Sequence, residues 1–177
     1  MIGVASAAVL LLSIGLLCAR RIETAAQLCA LQALFAAISF GETATAIAIL
    51  AFSLNGVALP LAIARMNNAT LLMLRGNAIL SWTAALALLA VTSLGFAKVG
   101  AEGLVAAGVS VALLGPLLIV LRSHALAPAI GLLSSQNGLV LVAGAVPNVS
   151  LPAALAVAVP LVPALVLAHN WLRRCAA

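Results

Sequence analysis

The sequence predicts an all-α, polytopic membrane bundle of about seven transmembrane helices, and three observations carry that prediction. Hydrophobic residues make up 66% of the 177 and charged residues only 6%, with a mean hydropathy of +1.34. A soluble core of this length cannot hide so much apolar surface. Polar breaks divide the chain into apolar runs near the roughly 20 residues that a helix needs to cross a bilayer. The basic residues, finally, gather at alternate breaks.

Taken in order, the first span covers 2–19 and is followed by Arg20-Arg21. Met1 to Ser6 carries no basic residue, so the charge follows the apolar run, the order of an anchor and not of a cleaved signal. The second span, 23–41, rests on the charge pattern described below. The third, 43–64, contains Asn55 and Pro60. The longest polar break, Arg65 to Gly76, still contains Leu71-Leu72-Met73-Leu74 and reads as a short interfacial helix. The fourth and fifth spans are 77–97 and 103–121, the fifth with Pro116 after Gly115. The sixth, 125–146, begins near Pro128, and the seventh, 150–169, carries Pro152, Pro160 and Pro163 and should be the most bent. No soluble domain interrupts this order, so 1–177 reads as one integral membrane domain.

Seven spans place Arg20, Arg21, Arg65, Arg75, Arg122, Arg173 and Arg174 on one side and only Lys98 on the other. Fusing the second and third spans would split the same charges five against three. The positive-inside rule therefore selects seven spans with the N-terminus outside and the C-terminus cytoplasmic, in a bacterial inner membrane given the Ala/Leu-rich composition. Trp82 and Trp171 then fall near the cytoplasmic interface. The net charge of +5 is spread singly and in pairs, too thinly for a nucleic-acid footprint. Cys18, Cys29 and Cys175 are placed by this topology at cytoplasmic span ends, as reduced thiols without a disulfide. Neither a phosphate-binding glycine loop nor a nucleophilic triad is present, and no metal or cofactor is expected.

The most informative feature is Gly131-Leu132-Leu133-Ser134-Ser135-Gln136-Asn137-Gly138, two adjacent carboxamides in the middle of an aliphatic span. An unpartnered amide in hydrocarbon costs several kcal/mol, so Gln136 and Asn137, with Ser134 and Ser135, should face protein or trapped water. Polar groups in such a place are candidate functional groups. Asn55 is the second mid-membrane amide. Small residues at helical spacing, Gly131, Ser135 and Gly138 in the sixth span and Gly103, Ala107 and Val111 in the fifth, predict close helix packing. The acids all lie near interfaces: Glu23 beside Arg20 and Arg21, Glu42 at an outer turn, and Glu102 four residues from Lys98. His124 and His169 are titratable candidates at the cytoplasmic boundary.

The polar Asn55 five residues before Pro60, followed by Gly131-Leu132-Leu133-x-x-Gln136-Asn137-Gly138, resembles hydrogenase-4 component E, a membrane subunit related to the K subunit of respiratory complex I. Arg20-Arg21 followed by Leu31-Gln32-Ala33-Leu34 is similar to that family's second span, and the resemblance extends over roughly residues 20–172. It implies a non-redox subunit in a membrane arm that couples electron transfer to proton or cation movement. Its partners would be an antiporter-like large subunit, a hydrogenase-like or quinone-reductase-like membrane anchor, and lipids. The departures are chemical: the family pattern has a glutamate where Gln136 stands and a lysine where Asn55 stands. The acid of its last span has no counterpart near Ala156. A carboxylate titrates, whereas an amide only orients hydrogen bonds and holds water. The expectation is therefore a structural, water-organising subunit with a degenerate proton path. Two other readings stay open, a small independent transporter or channel, and an assembly or anchoring protein whose amides clamp helices.

Overall fold

A computed structural model of the chain describes residues 2–38, 49, 52–65, 78–99, 103–122, 124 and 126–144. Among these the protein is all-helical, with six α-helices and one π-helical segment. Helices α1 (Ile2–Cys18) and α2 (Ile22–Ile38) fall on the first two apolar runs. In the third run the π-helix Phe52–Ala58 continues directly into α3 (Leu59–Arg65). Then come α4 (Ala78–Val99), α5 (Gly103–Leu121) and α6 (Ala127–Gly144). Two of them, α5 and α6, are long and apolar enough to cross a membrane. The seventh run, 150–169, and the break at 66–77 lie outside the described residues.

Two tight connections shape the bundle. Between α1 and α2 the Ala19 amide donates to Leu16 O at 3.3 Å, and the Arg21 carbonyl accepts from Ala25 at 3.1 Å as α2 begins. Between α5 and α6 the His124 carbonyl accepts from the Ala127 amide at 3.0 Å. The two helices of each pair pack antiparallel, α6 lies along α5, and α2 is the central element, touching α1, α6 and the π–α3 segment.

Glycine decides how closely α5 and α6 approach. A Cβ on Gly108 would lie 2.8 Å from Gly138 O, one on Gly131 would lie 2.6 Å from Gly115 O, and one on Gly138 would meet Gly108 O and the Ala112 amide. Backbone meets backbone there, the close approach that small residues permit in lipid. The expected stripe of Gly131, Ser135 and Gly138 is thus at the contact, where Gly108, Ala112 and Gly115 of α5 meet it. Of the small residues expected on α5, Gly103 borders open space, and Ala107 and Val111 pack in a cluster with Val9, Leu104 and the α6 residue Leu141. Because α5 is apolar all round, spacing alone does not rank these sets.

The prolines act in three distinct ways. Pro116 lies inside α5, where its missing N–H leaves the Ala112 carbonyl without a helical donor. Ser135 Oγ of α6 donates to that carbonyl at 2.9 Å. Ser135→Ala is accordingly expected to lower unfolding stability by about 1 kcal/mol, and Pro116→Ala, which restores the donor, should make the serine dispensable. Equal losses in both backgrounds, read from thermal melts in detergent, would refute the pairing. Pro60 is the second residue of α3, two past the end of the π-helix, so the third run is not a uniform α-helix. A widened turn beside a proline is a recurrent way to accommodate the lost bond. Pro128 sits in the first turn of α6, where the missing donor costs nothing, and it is not a mid-span break.

Two apolar clusters form among the described residues. One gathers Leu16, Leu17, Ile22, Leu118, Leu126 and Ile130 near the tight connections. The other gathers Val9, Leu104, Ala107, Val111 and Leu141 toward the opposite end. Between these clusters α1, α2 and α6 each bury polar side chains: Ser13, Gln32, and Gln136 with Asn137.

Candidate functional site: a buried amide layer

Ser13 of α1, Gln32 of α2, Asn55 of the π-helix and Gln136 and Asn137 of α6 occupy that intermediate level, each at most 1% exposed. Local structure places them. On α6 the run from Gly131 to Gly138 presents its small residues to α5, which turns adjacent Gln136 and Asn137 toward α2 and the π-helix. The wider π turn carries Asn55 into the same level.

Hydrogen bonds tie the layer across four helical segments. Gln136 Nε2 donates to Asn55 Oδ1 at 2.6 Å. Asn137 Nδ2 donates to the Cys29 carbonyl of α2 at 3.1 Å. Gln32 Nε2 donates to Ser13 Oγ at 2.8 Å, and that hydroxyl donates in turn to Val9 O at 2.8 Å. Cys29 is a free, buried thiol in the middle of α2, not at a span end, and its Sγ lies 3.9 Å from Ile130 O.

What the bonds leave over is as informative as what they join. Gln32 Oε1, Gln136 Oε1 and Asn137 Oδ1 are buried acceptors without a partner, and Asn55 Nδ2 is a buried donor without one. Turning over both amides of the Asn55 and Gln136 pair reverses their bond and still leaves one donor and one acceptor. Left dry, each such atom costs about 1–3 kcal/mol, and four together approach the whole stability of a domain, about 5–15 kcal/mol. One water offers two donors and two acceptors, so two waters supply the three donors and one acceptor that three oxygens and one N–H need.

The remaining candidates fall elsewhere. Ser134 is buried, and Ser135 serves the Ala112 carbonyl as described. His124 is half-buried before α6, and its Nδ1 accepts from the Leu126 amide at 3.1 Å, so it shapes the start of that helix. Glu42 and His169 lie outside the described residues. No family model, curated protein or solved structure matches the chain.

Two polar features were missed in the sequence. In the sequence Gln32 stands out only within Leu31-Gln32-Ala33-Leu34, and no local signal links it to Ser13, 19 residues away. Arg122, read as a topology charge, is 4% exposed and its Nη2 donates to the Leu17 carbonyl in the last turn of α1. Burial lowers its pKa from the usual value. A guanidinium there meets the carbonyls that a helix end leaves free and the negative end of its dipole. A further polar contact, Thr92 Oγ1 and Ser110 Oγ at 2.6 Å, joins α4 to α5.

Proposed function

We propose that the chain is a non-redox membrane subunit of a complex I-like or group 4 hydrogenase-like assembly. It spans a bacterial inner membrane about seven times, with its N-terminus outside. In this reading an antiporter-like large subunit and a hydrogenase-like or quinone-reductase-like anchor supply the redox and titratable chemistry. This chain holds helices together and organises water along a degenerate proton path.

The observation that carries the reading is the 2.6 Å contact between Asn55 and Gln136, 81 residues apart. These are the two positions at which the hydrogenase-4 component E pattern has a lysine and a glutamate. Because the side chains meet, the two departures are physically one: a lone charge at either position would be buried without a counter-ion, whereas two amides satisfy each other in part. The unpartnered atoms beside them suit ordered water, and none of the amides takes up or releases a proton.

Purification in mild detergent with identification of the accompanying chains tests the proposal. Large antiporter-like and anchor-like membrane subunits are expected to co-purify, and recovery of a lone homo-oligomer would overturn it. Gln136→Glu should leave the assembly intact, because a buried glutamic acid stays neutral and its O–H can donate to Asn55 Oδ1 in place of Nε2. Loss of the complex in that variant would mean that the position does not tolerate the acid in place of the amide.

A further inference from the structure

The side chains of the buried layer differ in what fixes their orientation. Asn137 Nδ2 donates to a main-chain carbonyl, Cys29 O, at 3.1 Å. A carbonyl only accepts, so turning the Asn137 amide over would set oxygen against oxygen and lose that bond. Gln32 Nε2 donates to Ser13 Oγ, whose own proton goes to Val9 O. Turning Gln32 would draw that proton away from Val9 and leave one bond in place of two. Both amides are therefore pinned, directly or through Ser13, by a main-chain acceptor.

Among the described residues, no such acceptor holds the pair of Asn55 and Gln136. Its bond, Gln136 Nε2 to Asn55 Oδ1 at 2.6 Å, joins two planar groups that each carry a donor and an acceptor. If Gln136 turned alone, oxygen would face oxygen, and if Asn55 turned alone, nitrogen would face nitrogen. Turned together, they form the reverse bond, Asn55 Nδ2 to Gln136 Oε1, with heavy atoms in the same places. The layer keeps three spare acceptors and one spare donor, but their location changes. One acceptor passes from Gln136 of α6 to Asn55 of the π-helix, and the donor passes the other way.

We propose that Asn55 and Gln136 form a two-state hydrogen-bond switch, in which both amides turn over together and reverse the direction of their bond. Neither state carries charge, and no proton enters or leaves. Water beside the pair donates to Gln136 in one state and to Asn55 in the other, so the pair sets the direction of hydrogen bonding in the layer. The inference deepens the water-organising part of the reading above and does not depend on which assembly the chain joins. Absence of co-purifying subunits therefore speaks against that assembly and leaves the switch untouched.

NMR of the full, uniformly 13C,15N-labelled chain in detergent micelles tests it through scalar couplings across the hydrogen bonds, which report the donor and the acceptor separately. Couplings are expected in both directions, from Gln136 Nε2 to Asn55 Cγ and from Asn55 Nδ2 to Gln136 Cδ. Because the bond count is the same in both states, their populations should lie within about ten-fold of each other. Asn137 should couple only to the Cys29 carbonyl carbon, and Gln32 should show a single orientation. Coupling in one direction only, or none between the two residues, would overturn the proposal. A second orientation at Gln32 or Asn137 as well would also overturn it, because the whole layer would then be loose and the pair would be no switch.

Discussion

Gly138→Leu is expected to lower stability by about 3 kcal/mol or more, the upper end of the usual overpacking cost. In a thermal melt in detergent this corresponds to a shift on the order of 10 °C. A side chain at this position meets the Ala112 amide and Gly108 O, which belong to the backbone of a neighbouring helix and cannot rotate away. The same argument covers Gly108, whose Cβ would lie 2.8 Å from Gly138 O and 2.9 Å from the Val142 amide. Gly95 and Gly103 border open space, so leucine there should stay within about 0.5 kcal/mol of the wild type. A wild-type melting temperature for Gly138→Leu would mean that α5 and α6 do not approach as described.

The second large effect is expected at the amide pair, and it is not additive. Gln136→Leu removes the partner of Asn55 Oδ1 and leaves both polar atoms of that buried amide unsatisfied. The loss should be about 2–3 kcal/mol, most of it from the stranded Asn55. Asn55→Leu should cost a similar amount by stranding Gln136. The double variant Asn55→Leu/Gln136→Leu strands neither, so its loss should fall below the sum of the singles by at least 1 kcal/mol. Strict additivity in a double-mutant cycle would show that the two side chains do not depend on one another.

These effects separate what the sequence discloses from what only the fold does. Composition and the spacing of polar breaks marked the helices closely, since an apolar run has few other ways to satisfy its backbone. The amides at 55, 136 and 137 stood out for the same reason, as expensive groups in aliphatic surroundings. Their pairing did not. In a helix whose every face is apolar no stripe marks the inside, which is why the spacing does not single out Gly108, Ala112 and Gly115 as the residues that α5 sets against α6. The π turn was equally hidden, because a proline announces a broken bond but not how the ladder rearranges. Arg122 shows a third limit: a charge counted toward orientation is buried at the end of another helix.

That arginine also sets a clock. Its bond to Leu17 joins residues 105 apart in the chain, and the bond from Asn137 to Cys29 joins residues 108 apart. At roughly 5–20 residues synthesised per second, the first two helices leave the ribosome about 5–20 s before the groups that complete them exist. The N-terminal hairpin must therefore wait with a bare helix end, and its final seating is a late event in biogenesis, set by the emergence of the fifth and sixth helices.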